Sequence, residues 1–139
     1  MTVPIGRRDR ELARKALYQG ETTGVTVAEA FLLLRENFQA NKKAAPYALE
    51  ILAGVDECRT EIDQLIAKHS KNWRLERMSM VDRNILRVAA FEFLKKGQDV
   101  PPAVVINEAV EVAARYSDED ASPFINGILD SMKNALGQD

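Results

Sequence analysis

Arg7, Arg10, Arg14 and Tyr18 are the residues whose types and spacing point most directly at chemistry. At about 100° per residue they fall within about 80° of one another on a helix, with Leu12, Ala13 and Ala16 on the opposite side. Guanidinium groups pair with phosphates in bidentate fashion and stack on bases, and a tyrosine among them adds a stacking surface. The combination suits single-stranded RNA better than duplex DNA. Residues 1–15 hold five basic side chains against the two acids Asp9 and Glu11, in a chain whose net charge is −2. Affinity for nucleic acid therefore has to come from this local patch and not from bulk charge. A charged stripe is more often a solvated helix face, so on these residues alone RNA binding is one reading of two.

Enzymatic signatures are sparse. The chain has no glycine-rich phosphate loop, HExxH, CxxC or GxSxG, and its single His and single Cys are too few to build a metal site. On one helix Cys58 and His69 would stand about 16 Å apart, out of reach for a nucleophile and its base. Cys58 reads as a small buried hydrophobe and His69 as a helix-end residue. Glu92 falls among Val81, Ile85, Val88 and Ala89 on the helix wheel, which aims a carboxylate at an apolar face. With no second carboxylate beside it, a buried acid satisfied by a partner outweighs an acid or base of raised pKa. Trp73 reads as an anchor between helices. The expectation is a non-enzymatic protein with no catalytic residue, metal or cofactor.

These residues have to be positioned by helices. No segment alternates apolar and polar residues as a strand would, and 3.6-residue periodicity runs almost throughout, so the fold class is all-α with six or seven helices. The first helix is expected from about Arg7 to Tyr18, stopping near Gly20. A capping box at Thr26-Val-Ala-Glu29 opens a second helix through Phe38. Pro46 starts a long helix carrying Leu49, Leu52, Val55, Ile62, Leu65 and Ile66, with a bend near Gly54. Ser79 caps a helix from about Met80 to Lys96. The prolines at 101 and 102 lead into one carrying Val105, Ile106, Ala109, Val110 and Ala113 that ends near Ser117. Ser122 and Pro123 read as an N-cap and first residue of the last helix, with Phe124, Ile125, Ile128, Leu129, Met132 and Leu136 on one face and Gly137 beyond its end. At 139 residues, 46% hydrophobic and 29% charged, the chain is an ordinary globular domain. One cysteine excludes an internal disulfide, and neither a signal peptide nor a membrane span is legible, so the expected location is the cytoplasm.

Three blocks carry a resemblance. RRDRELARKALYQGE, NWRLERMSMVDRNILRVAAFE and VPPAVVINEAVEVAARYSDEDASPFINGILD together resemble the NusB family of bacterial transcription antitermination factors. The resemblance implies two small helical bundles packed crosswise, an N-terminal subdomain of about 1–70 and a C-terminal one of about 71–139 within a single domain. It implies binding to the boxA element of ribosomal RNA leader transcripts, with the small-subunit ribosomal protein NusE as partner. That pair would join NusA and NusG on RNA polymerase and let it read through terminators.

Residue by residue, Arg7, Arg8 and Arg10 match the family's arginine-rich start, which contacts RNA, and Tyr18 matches the tyrosine of ALY. Asp120 and Phe124 match positions lining the RNA site, with Asn126 and Gly127 completing the string F-[VI]-N-G. Phe124 is expected to stack a base at the helix N-terminus, where N–H groups favour phosphate, and Asp120 to accept from a base edge. Because a stacking platform belongs beside phosphate-binding cations, Phe124 is expected near Asp120 and Arg7. Asp82 resembles a family acid facing NusE. Asp9 interrupts the basic run, and Ser122-Pro123 replaces the polar or basic residues usual there. The plainer reading gives Asn126 and Gly127 to close helix packing and Phe124 to the core. Two rivals stand beside antitermination. One is the NusB-like N-terminal domain of a ribosomal RNA methyltransferase, which the length disfavours, and the other is a helical homodimerisation protein, since the family includes dimers. Residues 22–47 carry no diagnostic match.

Overall fold

The computed structural model describes residues 7–24, 45–70, 75–97, 99–118 and 120–137, without the side chains at 7, 8, 45 and 46. Among the described residues every regular element is helical: α1 (Arg7–Thr23), α2 (Ala45–Glu57), α3 (Arg59–His69), a 3₁₀ turn (Leu75–Arg77), α4 (Met80–Lys95), α5 (Pro102–Tyr116) and α6 (Ala121–Ala135). The chain divides into two compact units, residues 1–57 and 58–139. The expected second helix with its Thr26/Glu29 box, and Trp73, lie outside the described residues.

In the first unit α1 packs on α2. Leu12, Ala13, Ala16 and Leu17 of α1 are buried, as are Ala48, Ile51, Leu52 and Val55 of α2. The helix runs past the expected stop at Gly20. In its last turns the hydroxyls of Thr22 and Thr23 donate back to the Tyr18 and Gln19 carbonyls at 3.1 and 2.6 Å, and the Gly24 N–H reaches the Gly20 carbonyl at 3.1 Å. Gly24 then ends it with a φ of 77°, where a Cβ would be strained.

The long helix expected from Pro46 is two helices, and the break is at Cys58 instead of Gly54, with φ −103° and ψ 20°. The apolar stripe changes partners there. Residues up to Val55 face α1, whereas Ile62 and Ile66 are buried in an α3 that packs on α4 and α6. Leu49, expected on the stripe, is 45% exposed. The same change of partners puts the division between the units at Glu57 and Cys58, upstream of the expected boundary near residue 70.

In the second unit α4 is the hub, packing on α3, α5 and α6. Ser79 caps it as expected, its Oγ accepting from the Asp82 N–H at 3.1 Å. From Asn84 to Phe93 every residue of α4 is buried. A helix buried all round must also bury its polar members, and Arg87 answers with a paired contact to Asp63 of α3, its Nε and Nη2 donating at 2.9 and 3.1 Å. Glu92, 1% exposed, is buried as the wheel required. Helix α5 starts after Pro101 and its C-cap is Ser117, both close to expectation.

Candidate nucleic-acid interface

Helix α1 corrects the expected arginine stripe. Arg10 is 1% exposed and Arg14 9%, so neither lies on a solvated face and neither is placed to meet phosphate. The reason is legible on the wheel, where Leu17 falls about 20° from Arg10: the buried arc is wider than Leu12, Ala13 and Ala16 define, and it takes in both arginines. Of the stripe, Tyr18 is exposed. The side chains of Arg7 and Arg8 lie outside the described residues. Lys15, which the stripe left out, is a cation on the outer side of α1, paired with Glu11 at 2.9 Å one turn back.

Asp9 does not interrupt a surface patch either. It is buried, and the first-turn N–H groups of α2 at Ala48 and Tyr47 donate toward its carboxylate. Burial pushes its carboxyl above the ordinary value, against the pull of the Ala48 N–H, the Arg10 charge, its own N–H and the Tyr47 N–H. Asp9 thus acts as a cap supplied by one helix to the start of another.

The start of α6 gathers the other candidates. Asp120 occupies the N-cap position, exposed, with its side chain making no capping bond. Phe124, one turn on, is half-buried, so the ring is neither wholly core nor wholly surface. Asn126 is exposed. Gly127 is exposed too, and a Cβ there would meet nothing within 4 Å, which removes the close-packing explanation.

Ser122 does not cap α6 as expected; its Oγ donates to the Val110 carbonyl at 3.1 Å and ties α6 to α5. The helix start is also a poorer phosphate site than expected. The Ala121 N–H is used by the Asp118 carbonyl at 2.9 Å and Pro123 has none, so two of the first-turn positions have no N–H to give a phosphate. The expected proximity of Phe124 and Arg7 joins side chains of different units, that of Arg7 being undescribed.

Asp82, half-buried, sits in the first turn of α4 and accepts from the Ser117 Oγ at 2.6 Å, which fastens the start of α4 to the end of α5. Cys58 and His69 stand at opposite ends of α3, and the Nδ1 of His69 is 2.7 Å from the Ser131 Oγ of α6. The His69 contact ties α3 to α6, whereas Cys58 is half-buried and not the fully buried residue expected, its side chain making no capping bond. Among the described residues no group of three or more His, Cys, Asp or Glu could hold a metal, and no helix is long and apolar enough to cross a membrane.

Six described helices in two units, with chemistry-bearing side chains on helix faces and helix starts, define the class: an all-α protein whose candidate sites are surfaces. The chain matches the NusB family over residues 7–134. It is 46% identical over 136 residues to the transcription antitermination protein NusB of Myxococcus xanthus (strain DK1622), covering 95% of this chain and 96% of that protein. With NusB of Bacillus subtilis (strain 168) the identity is 38% over 132 residues, covering 95% and 97%. Its fold is similar to that of T. maritima NusB, with a TM-score of 0.86, 37% identity and coverage of 96% and 93%. It is similar also to a chain in a complex of the antitermination factors NusB and NusE with double-stranded RNA, with a TM-score of 0.82, 31% identity and coverage of 93% and 96%. The chain belongs to the NusB family, and so to the transcription antitermination factors.

Proposed function

We propose that this chain binds the boxA element of ribosomal RNA leader transcripts together with NusE, and that the pair joins NusA, NusG and RNA polymerase in the cytoplasm to carry transcription past terminators. The observation that carries the RNA reading is the start of α6, where the half-buried Phe124 stands one helical turn after the exposed Asp120, on the same side of the helix. An aromatic ring beside a polar acceptor is an arrangement that single-stranded readout uses, with stacking for affinity and base-edge contacts for selection. Arg7, Arg8 and Tyr18 are the α1 residues proposed to contact RNA, while Arg10 and Arg14 hold the fold. Asp82 is proposed to face NusE with whatever capacity its Ser117 bond leaves. No catalytic step is assigned to any residue.

Support comes from the solved complex in which a protein of this fold stands with NusE and RNA. The RNA there is double-stranded, so strandedness is part of the test. Titrating the chain with single-stranded boxA RNA, with a scrambled strand and with a boxA duplex, each with and without NusE, should show tightest binding to the boxA strand and a further gain with NusE. Equal affinity for the scrambled strand, or no gain with NusE, contradicts the proposal. Sedimentation of the same samples reads whether the free chain is a homodimer.

A further inference from the structure

We propose that Gly127 is the opening through which an unpaired base reaches the Phe124 ring, a positioning role that rests on the proposed stacking at Phe124. A glycine in mid-helix is costly, about 1 kcal/mol relative to alanine. Nothing among the described residues requires it. Its φ is not positive, since the described glycines with positive φ are Gly24 and Gly137. A Cβ at 127 would meet no atom within 4 Å, so no neighbouring helix demands the gap. Packing among the described residues therefore leaves the missing side chain unexplained, and a partner outside them is the remaining reason.

Helix geometry says what the gap exposes. Side chains on a helix lean toward its N-terminus, so that the patch a residue covers lies over the turn before it. The turn before Gly127 holds Pro123 and Phe124, four and three residues back. Any longer side chain at 127 would lie over them and crowd what the half-buried Phe124 leaves exposed. The next residues along this face are also kept off it. Ser131 is short and held to His69 of α3 at 2.7 Å, and Asp130 pairs with Lys133 at 3.7 Å, further toward the C-terminus. The open space that Gly127 leaves beside Pro123 and the half-buried Phe124 is where a base could come close to the ring, since stacking needs a close approach.

The experiment compares wild type, Gly127→Ala, Gly127→Leu, Phe124→Ala and the double variant Gly127→Leu/Phe124→Ala, using fluorescence anisotropy with single-stranded boxA RNA and with its duplex. Because the site is open, both glycine variants fold, and Gly127→Ala should melt about 3 °C above wild type through helix propensity. Phe124→Ala should weaken single-strand binding about tenfold. Gly127→Leu should weaken it by a similar factor, Gly127→Ala by much less, and the double variant no more than Phe124→Ala alone, since both act on one ring.

Wild-type affinity in Gly127→Leu alongside weakened Phe124→Ala overturns the role of Gly127 and leaves stacking intact. Wild-type affinity in Phe124→Ala overturns the stacking and this inference with it. A further loss in the double variant means that the leucine acts elsewhere than on the ring, and contradicts the proposal. So does a loss confined to NusE binding, which would make Gly127 a seat for protein.

Discussion

At the scale of single residues, α1 separates arginines that hold the fold from those proposed to hold RNA. Arg10, 1% exposed, fills a buried place on α1, and its charge offsets part of the cost of burying Asp9 beside it. Arg10→Ala should therefore cost about 3–5 kcal/mol of stability, read as a lower denaturation midpoint. Arg7→Ala/Arg8→Ala should leave the midpoint in place and flatten the salt dependence of RNA binding by about 0.7 in log–log slope for each phosphate no longer neutralised. An Arg10→Ala variant with unchanged stability would restore it to the surface.

Asp9 carries a pH signature. Its carboxyl is raised above 3.8, so the folded chain takes up this proton before the unfolded chain does. Ionised Asp9 therefore costs stability above the raised value, and the cost disappears as pH falls through that value to 3.8. Asp9→Asn keeps an oxygen to accept from Ala48 and Tyr47. It should match or exceed wild-type melting temperature at pH 7, with the advantage shrinking toward pH 4. An advantage that grows as pH falls contradicts this sign. Burial of Glu92 was legible from its wheel position, because a carboxylate among apolar residues has few other places to go. Burial of Arg10 and Arg14 was not, because charge alone points them at solvent, and the buried arc reaches them only when it is widened to Leu17.

At the scale of elements, starts and stops written in local chemistry were legible. Ser79 caps α4, the paired prolines open α5, and Gly137 closes α6 with a φ of 71°. Elements set by tertiary partners were not. Nothing local marks Cys58 as a break, which exists because α2 and α3 bury their stripes against different helices. Ser122 has the residue type of a cap, yet its hydroxyl goes to Val110 in another helix. The α3–α4 pair supplies a test at this scale. Arg87 is nearly buried, with its guanidinium held in two places by Asp63, so Asp63→Ala should remove both bonds between the helices and cost about 2–3 kcal/mol in urea denaturation. A loss below about 1 kcal/mol, the value of an exposed pair, would mean that water reaches Arg87 freely.

At the scale of the whole molecule, the all-helical fold and the family were both legible in sequence. The fold was legible because the 3.6-residue period persists through the chain, the family because three ordered blocks match together. The surfaces were less so: of the proposed RNA-binding residues, Asp120 and Asn126 at the start of α6 are exposed, while two of the α1 arginines turn inward. The central claim is that this surface serves antitermination at boxA, and transcription itself tests it most directly. On a template with boxA ahead of a terminator, purified chain with NusE, NusA, NusG and RNA polymerase should raise the fraction of transcripts that pass the terminator. The gain should vanish when boxA is scrambled and fall sharply with Phe124→Ala. Read-through raised equally on the scrambled template, or undiminished by Phe124→Ala, would contradict the account.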